Sequence, residues 1–168
     1  LIKRIDTGYA VIKKKYDDFG RCYLTEYFDE KSKKVVGKKN QYAGIRSRYD
    51  GRGNKISIQY LGVENELMIR PDYGCAQVSQ SYDDWGNLIK EDYLDENGNL
   101  MIRQEKGYAS VENKYEKGKQ IESSYFNEKG KLVKHKDLGY AVIRKEYDKF
   151  GQCLSEHYFG SDKKPIVS

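Results

Sequence analysis

The side chains that could do chemistry in this chain are few, and their spacing does not bring them together. His135 and His157 stand far apart, and neither belongs to a Cys, Ser or Asp motif suited to general-base or nucleophilic work. Cys22, Cys75 and Cys153 occur singly, with none of the close pairs that hold zinc. The run Asp95-Glu96-Asn97-Gly98-Asn99 opens like a calcium loop. No glutamate follows at the distance of a closing bidentate ligand, so the run reads as a turn. Glycines recur at strand ends and never form a phosphate-cradling loop. The chain is therefore read as not an enzyme, with no cofactor and no metal.

Aromatic rings are the remaining chemistry. The chain carries 16 Tyr, 5 Phe and 1 Trp, and most of the tyrosines fall in three columns. One is Tyr9, Tyr42, Tyr108 and Tyr140, with Cys75 in the missing place; each is followed by alanine. A second is Tyr16, Tyr49, Tyr82, Tyr115 and Tyr147, each followed by an acid. The third is Tyr27, Tyr60, Tyr93, Tyr125 and Tyr158, each followed by Phe or Leu. The columns define five repeats of about 33 residues, at about 8–40, 41–73, 74–106, 107–138 and 139–168. Such a period marks stacked supersecondary units, each too small to bury a core alone.

The elements that position the rings are strands. Ala76, Val78, Gln80 and Tyr82 alternate with Cys75, Gln77, Ser79 and Ser81, a period of two. Asp83 to Asn87 then breaks the strand, with Gly86 placed for positive φ, and a second strand runs from Leu88 to Asp95. Glu96-Asn97-Gly98-Asn99 signals another hairpin, and Leu100-Met101-Ile102 reads as a short third strand. Gly130 repeats the Gly98 slot, whereas Ser32, Asn65 and Lys163 replace it elsewhere, where looser turns are expected. The fold class expected is all-β: an elongated repeat array of stacked antiparallel β-hairpins, about three strands per repeat and fifteen in all.

On this reading the Tyr16 and Tyr27 columns are core. The column of Tyr9, Tyr42, Tyr108 and Tyr140 is placed on the opposite face, as an exposed row suited to sugar rings, with shielding of a second sheet face as the other reading. Phe19, Trp85 and Phe150 occupy the first turn of alternate repeats, where Arg52 stands in the second. They are expected to fold over their own hairpins, with ligand contact as the alternative. An odd strand number per repeat, or a half-turn of superhelix, would produce that alternation.

Composition bounds the partners. Charged residues make up 34% of the chain and hydrophobic ones 38%, too little apolar mass for a thick core. Tyrosine can cover a thin sheet instead, burying its ring and keeping a polar tip. The net charge of +5 is spread through both signs, and no RNA-stacking motif is present, so nucleic acid is not expected. No apolar run reaches membrane-spanning length. The densest basic stretch, Lys31 to Lys39, reads as a solvated turn or an anion contact. Lone cysteines lean towards a cytoplasmic setting. Leu1 opens inside a repeat-like phrase, so the whole is read as a single β-repeat module over 1–168, a fragment of a larger protein.

The phrases Tyr93-Leu94-Asp95-Glu96-Asn97-Gly98-Asn99-Leu100-Met101 and Tyr125 to Val133 resemble the hairpins of choline-binding and glucan-binding cell-wall repeats and of clostridial toxin repetitive domains. Tyr82 to Gly86 resembles the YD repeats of secreted bacterial shell proteins. Across all five repeats the chain is most similar to GYA-type tandem β repeats of bacterial envelope proteins. The resemblance implies a noncatalytic module that binds an extended cell-surface glycopolymer, a polysaccharide or teichoic-acid-like chain, at the bacterial envelope or the cytoplasmic face of the membrane. Trp85 is the only tryptophan, so a choline box of converging rings is not implied. The competing expectation is a structural spacer, or a protein-interaction or self-association module linked to a catalytic domain.

Overall fold

A computed structural model describes residues 6–166; the opening phrase at Leu1 lies outside them. The fold is all-β, without helices among the described residues. Its ten strands are β1 (Val11–Tyr16), β2 (Cys22–Phe28), β3 (Gly44–Tyr49), β4 (Lys55–Leu61), β5 (Gln77–Tyr82), β6 (Leu88–Leu94), β7 (Ser110–Glu116), β8 (Lys119–Phe126), β9 (Val142–Tyr147) and β10 (Cys153–Phe159). Strands are hydrogen-bonded to neighbours in chain order, and the pairs are antiparallel. The chain divides into two compact units: residues 1–79 with 95–98, and residues 80–94 with 99–168.

Each repeat thus has two strands and not three. The segment expected to be a third strand makes one isolated bridge, such as Leu61↔Leu67 in the first unit and Phe126↔Leu132 in the second. The reason is edge occupancy. The Tyr27 N–H donates to Ala43 of the next strand at 3.0 Å, leaving its carbonyl for Val35 N–H at 3.0 Å. Both sides of β2 are then taken by β1 and β3, and the segment must lift off. With two strands per repeat, the first turns within each unit leave the same end of the strands, so an odd strand number does not explain the alternating tips.

The turns have a common cause. The aspartates after Tyr16, Tyr49, Tyr82 and Tyr147 accept backbone N–H groups: Asp50 Oδ1 takes those of Arg52 at 2.9 Å and Asn54 at 2.8 Å. Asp29 and Asn127 do the same for the second turn. Ser32 (φ 62°) and Asn65 (φ 70°) adopt the left-handed conformation of Gly98 (φ 84°). Their turns close with the same backbone bonds, Asp29 N–H to Lys33 and Gly62 N–H to Glu66, each 2.9 Å, and are not looser.

The core lies on one sheet face, where register pairs Ile45 with Tyr60 in the first unit and Val111 with Tyr125 in the second. Ala43, Ala76, Ala109 and Ala141 are fully buried there. In the second column Tyr49, Tyr82, Tyr115 and Tyr147 are half-buried and Tyr16, expected in the core, is 56% exposed; Tyr49 donates its hydroxyl to the Cys22 carbonyl and Tyr147 to that of Gln120, both at 3.0 Å, stapling strands together.

Candidate binding surface

The residue before each first-column position is left-handed: Gly8, Gln41, Gly74, Gly107 and Gly139 have φ between 61° and 79°. Gln41 N–H donates to Gly37 at 2.8 Å and Gly107 N–H to Arg103 at 2.7 Å, closing a tight turn just before the strand. The period of two therefore does not extend back to these tyrosines. Instead of standing on the opposite face, their rings join the core.

In the first unit, Tyr42 lies between Tyr27 at 5.8 Å and Tyr60 at 5.3 Å, with Tyr9 against Tyr27 at 4.6 Å. In the second, Tyr108 lies between Tyr93 at 5.7 Å and Tyr125 at 4.8 Å, and Tyr140 between Tyr125 at 6.1 Å and Tyr158 at 5.0 Å. Tyr42 and Tyr108 are each 7% exposed, and Tyr9 and Tyr140 are half-buried. The expected row of exposed rings is a zigzag core ladder. Burial pushes the Tyr60 phenol up to about 12, so that rung stays neutral at ordinary pH.

Sequence reasoning missed two parts of the ladder. Cys75 leaves a ring position empty, and Tyr73 supplies the ring, 5.9 Å from Tyr60. A fourth column, Gly37, Arg70, Arg103 and His135, lies four residues before each turn glycine or Gln41. The Arg70 guanidinium covers Tyr42, Tyr60 and Tyr73 at 5.2–5.4 Å while held by Asp72 through two 2.7 Å bonds. His135 takes the same part between Tyr108 and Tyr125. The signal was present as two arginines and a histidine at constant spacing, with Gly37 in the first place of the column.

Among the described residues Phe19, Trp85 and Phe150 are the most exposed rings, at 82%, 87% and 78%. They do not fold over their hairpins. The turn residue Asp17, Asp83 or Asp148 accepts the ring residue's own N–H at 2.8–3.0 Å, which aims the side chain outward. Arg21 reaches over Phe19 and Tyr49, at 4.9 and 5.1 Å, and donates to the Asp50 carbonyl at 2.9 Å, linking neighbouring tips of the first unit. Lys149 stands 5.0 Å from the Phe150 ring centre. In the fourth repeat the turn is shortened to Lys117 and Gly118, both left-handed, and carries no ring.

No protein-family model matches this chain, and no curated protein does.

The second unit also carries a groove of about 1580 Å³, lined in part by Glu112, Lys114, Glu122, Arg144, Phe126 and Phe159. Glu122 is bound by Lys114 at 2.8 Å and Arg144 at 2.7 Å. Burial opposes its charge, but hydrogen bonds from both cations outweigh burial and hold the carboxyl below its usual range. Arg144 in turn stacks over Phe159 at 4.9 Å. The basic stretch near Lys31 is partly neutralised, since Lys34 pairs with Glu26 at 2.6 Å. Cys75 is buried, whereas Cys22 is half-buried and Cys153 exposed, so only one of the three thiols is packed away. Among the described residues, no group of three His, Cys, Asp or Glu side chains could hold a metal, and no helix is long and apolar enough to cross a membrane.

Proposed function

We propose that the chain is a noncatalytic repeat module that binds an extended neutral or anionic glycopolymer of a bacterial cell surface, a polysaccharide or teichoic-acid-like chain, through its turn-tip rings. One observation carries the reading: Phe19, Trp85 and Phe150 stand in solvent on closed turns while the other repeated rings are partly or wholly covered. In the second unit, Trp85 and Phe150 lie on hairpins four strand spacings apart, about 19 Å at about 4.8 Å per strand. A polymer long enough to touch several tips gains from each contact by multivalency, though every single contact is weak. Arg21 and Lys149 beside the rings suit phosphate or carboxylate groups.

A glycan and teichoic-acid array with the wild type and a Phe19/Trp85/Phe150→Ser variant tests this. The substituted side chains are exposed, so the fold should survive, as circular dichroism would verify. Binding to long polymers that falls at least about tenfold in the variant, with weak binding of short oligomers throughout, supports the reading. No binding by the wild type, or equal binding by the variant, removes it. The spacer or protein-interaction reading is favoured by a separate observation, the burial of Tyr42 and Tyr108 that takes away the four-ring platform.

A further inference from the structure

Successive repeats meet at four seams, and one position can be compared in all of them. Glu122 of β8 stands opposite Arg144 across its seam and opposite Lys114 across its hairpin. Both cations bind it, at 2.7 and 2.8 Å. Lys90 faces Glu112 at 3.9 Å, and Ser57 faces Ser79. Charge meets opposite charge, or neutral meets neutral. The first seam departs from this. There Leu24 stands where Glu122 does, with Arg46 opposite across the seam and Lys15 opposite across the hairpin.

Two cations of the first unit therefore flank a place where the second unit keeps a carboxylate. Arg48 adds a third, about 6.7 Å from Arg46 along the interior strand β3, and it faces Ser57. Among the described residues none of the three cations is in an ion pair. Glu26 of β2 is held by Lys34 at 2.6 Å, and the turn acids Asp17 and Asp50 by Arg21 and Asn54. The neighbouring amides are set to donate. Arg46 Nη1 donates to Gln59 Oε1 at 3.3 Å, and Gln59 Nε2 to Gln77 Oε1 at 2.7 Å. A guanidinium has no acceptor, so it fixes the direction of the whole row. The row ends on the Gln77 amide N–H group, about 10 Å from β3 at about 4.8 Å per strand.

We propose that this face of the first unit binds the phosphate groups of an extended polyol-phosphate chain. One phosphate takes the place over Leu24 that the Glu122 carboxylate takes in the second unit, between Lys15 and Arg46. The arginine fork suits its paired oxygens, and charge-assisted bonds of this kind are the strong ones. Arg48 and the Gln77 amide meet oxygens further along the chain. Around the two arginines stand Leu24, Ser57, Gln59, Gln77 and Ser79, without a ring. A uronate ring or a nucleobase finds nothing there to stack on, whereas an acyclic polyol phosphate needs no such platform. The polymer class is taken from the glycopolymer reading, on which this rests, and none of the turn-tip rings is involved.

Titration calorimetry with lipid-free poly(glycerol phosphate), dextran, polygalacturonate and single-stranded oligothymidylate tests it. Leu24→Glu supplies the missing carboxylate from within the molecule, and Arg46→Gln removes one cation while keeping a polar side chain. The wild type should bind poly(glycerol phosphate) more tightly than the other three polymers. Each variant should weaken that binding about tenfold or more, the worth of a charge-assisted contact. Should circular dichroism find Leu24→Glu unfolded, Arg46→Gln and Lys15→Gln decide, the Lys15 side chain being exposed. Binding by the folded variants equal to that of the wild type overturns the proposal, as does preference for polygalacturonate, oligothymidylate or dextran. Loss of poly(glycerol phosphate) binding in Phe19/Trp85/Phe150→Ser but not in Leu24→Glu leaves the rings as the site and removes this one. No binding to any polymer removes both readings.

Discussion

Asp83 accepts the backbone N–H of Trp85 at 3.0 Å, and the same oxygen accepts that of Asn87 at 2.8 Å. One carboxylate thus closes the turn and holds its most exposed ring in solvent. An acid that reads in the sequence as a repeat marker has a mechanical task, and ring presentation depends on it.

Asp83→Ala should remove both bonds and lower stability, because the two backbone N–H groups lose their acceptor. Asp83→Asn should lose less than Asp83→Ala, because Asn127 caps its own turn through the same two backbone bonds at 3.0 and 2.9 Å, but it gives up the carboxylate oxygen that accepts the Asn87 amide at 2.8 Å. Urea unfolding of both variants checks this; equal losses would show that charge, and not the acceptor geometry, closes the turn.

Tyr108→Ala should cost about 3–5 kcal/mol, the range for truncating a large buried ring. Trp85→Ala should change stability by less than about 0.5 kcal/mol, as expected of a solvent-exposed side chain. The contrast, read from thermal melts under one condition, distinguishes ladder rings from tip rings. A large loss for Trp85→Ala would mean that its ring is covered.

Acid should destabilise the fold through two groups of opposite charge type. The Asn87 amide, followed by the backbone N–H bonds, holds the Asp83 carboxyl below its usual range, and Asn54 does the same for Asp50. Their folded pKa values are depressed, so their contribution is present above the unfolded carboxylate pKa and is lost as pH falls through the folded value. His135 is lowered as well, by burial first and then by Lys106. The folded state prefers its neutral form, so stability begins to fall as pH drops below the ordinary imidazole value. Unfolding free energies measured from pH 8 to about pH 3 should decline on acidification, and His135→Gln should flatten the upper part of that decline. An unchanged profile would place the acid sensitivity elsewhere.

The repeat columns and the period of two were enough to read the all-β hairpin architecture, the first turns and the third-column core, because each depends on residues within one repeat. Gly86 and Asp83 announce their turn wherever the repeat sits. Strand number was not legible, because whether residues 100–102 pair depends on a free strand edge, and the next repeat had already taken it. The placement of Tyr42 and Tyr108 was lost for a related reason: a left-handed residue before the strand interrupts alternation, and nothing in Gln41 announces that conformation. Spacing alone determined which rings recur. Tertiary packing decided which of them water can reach, since Tyr42 is covered by Tyr27 of the preceding repeat and Tyr60 of its own, while Trp85 has only its own turn beneath it.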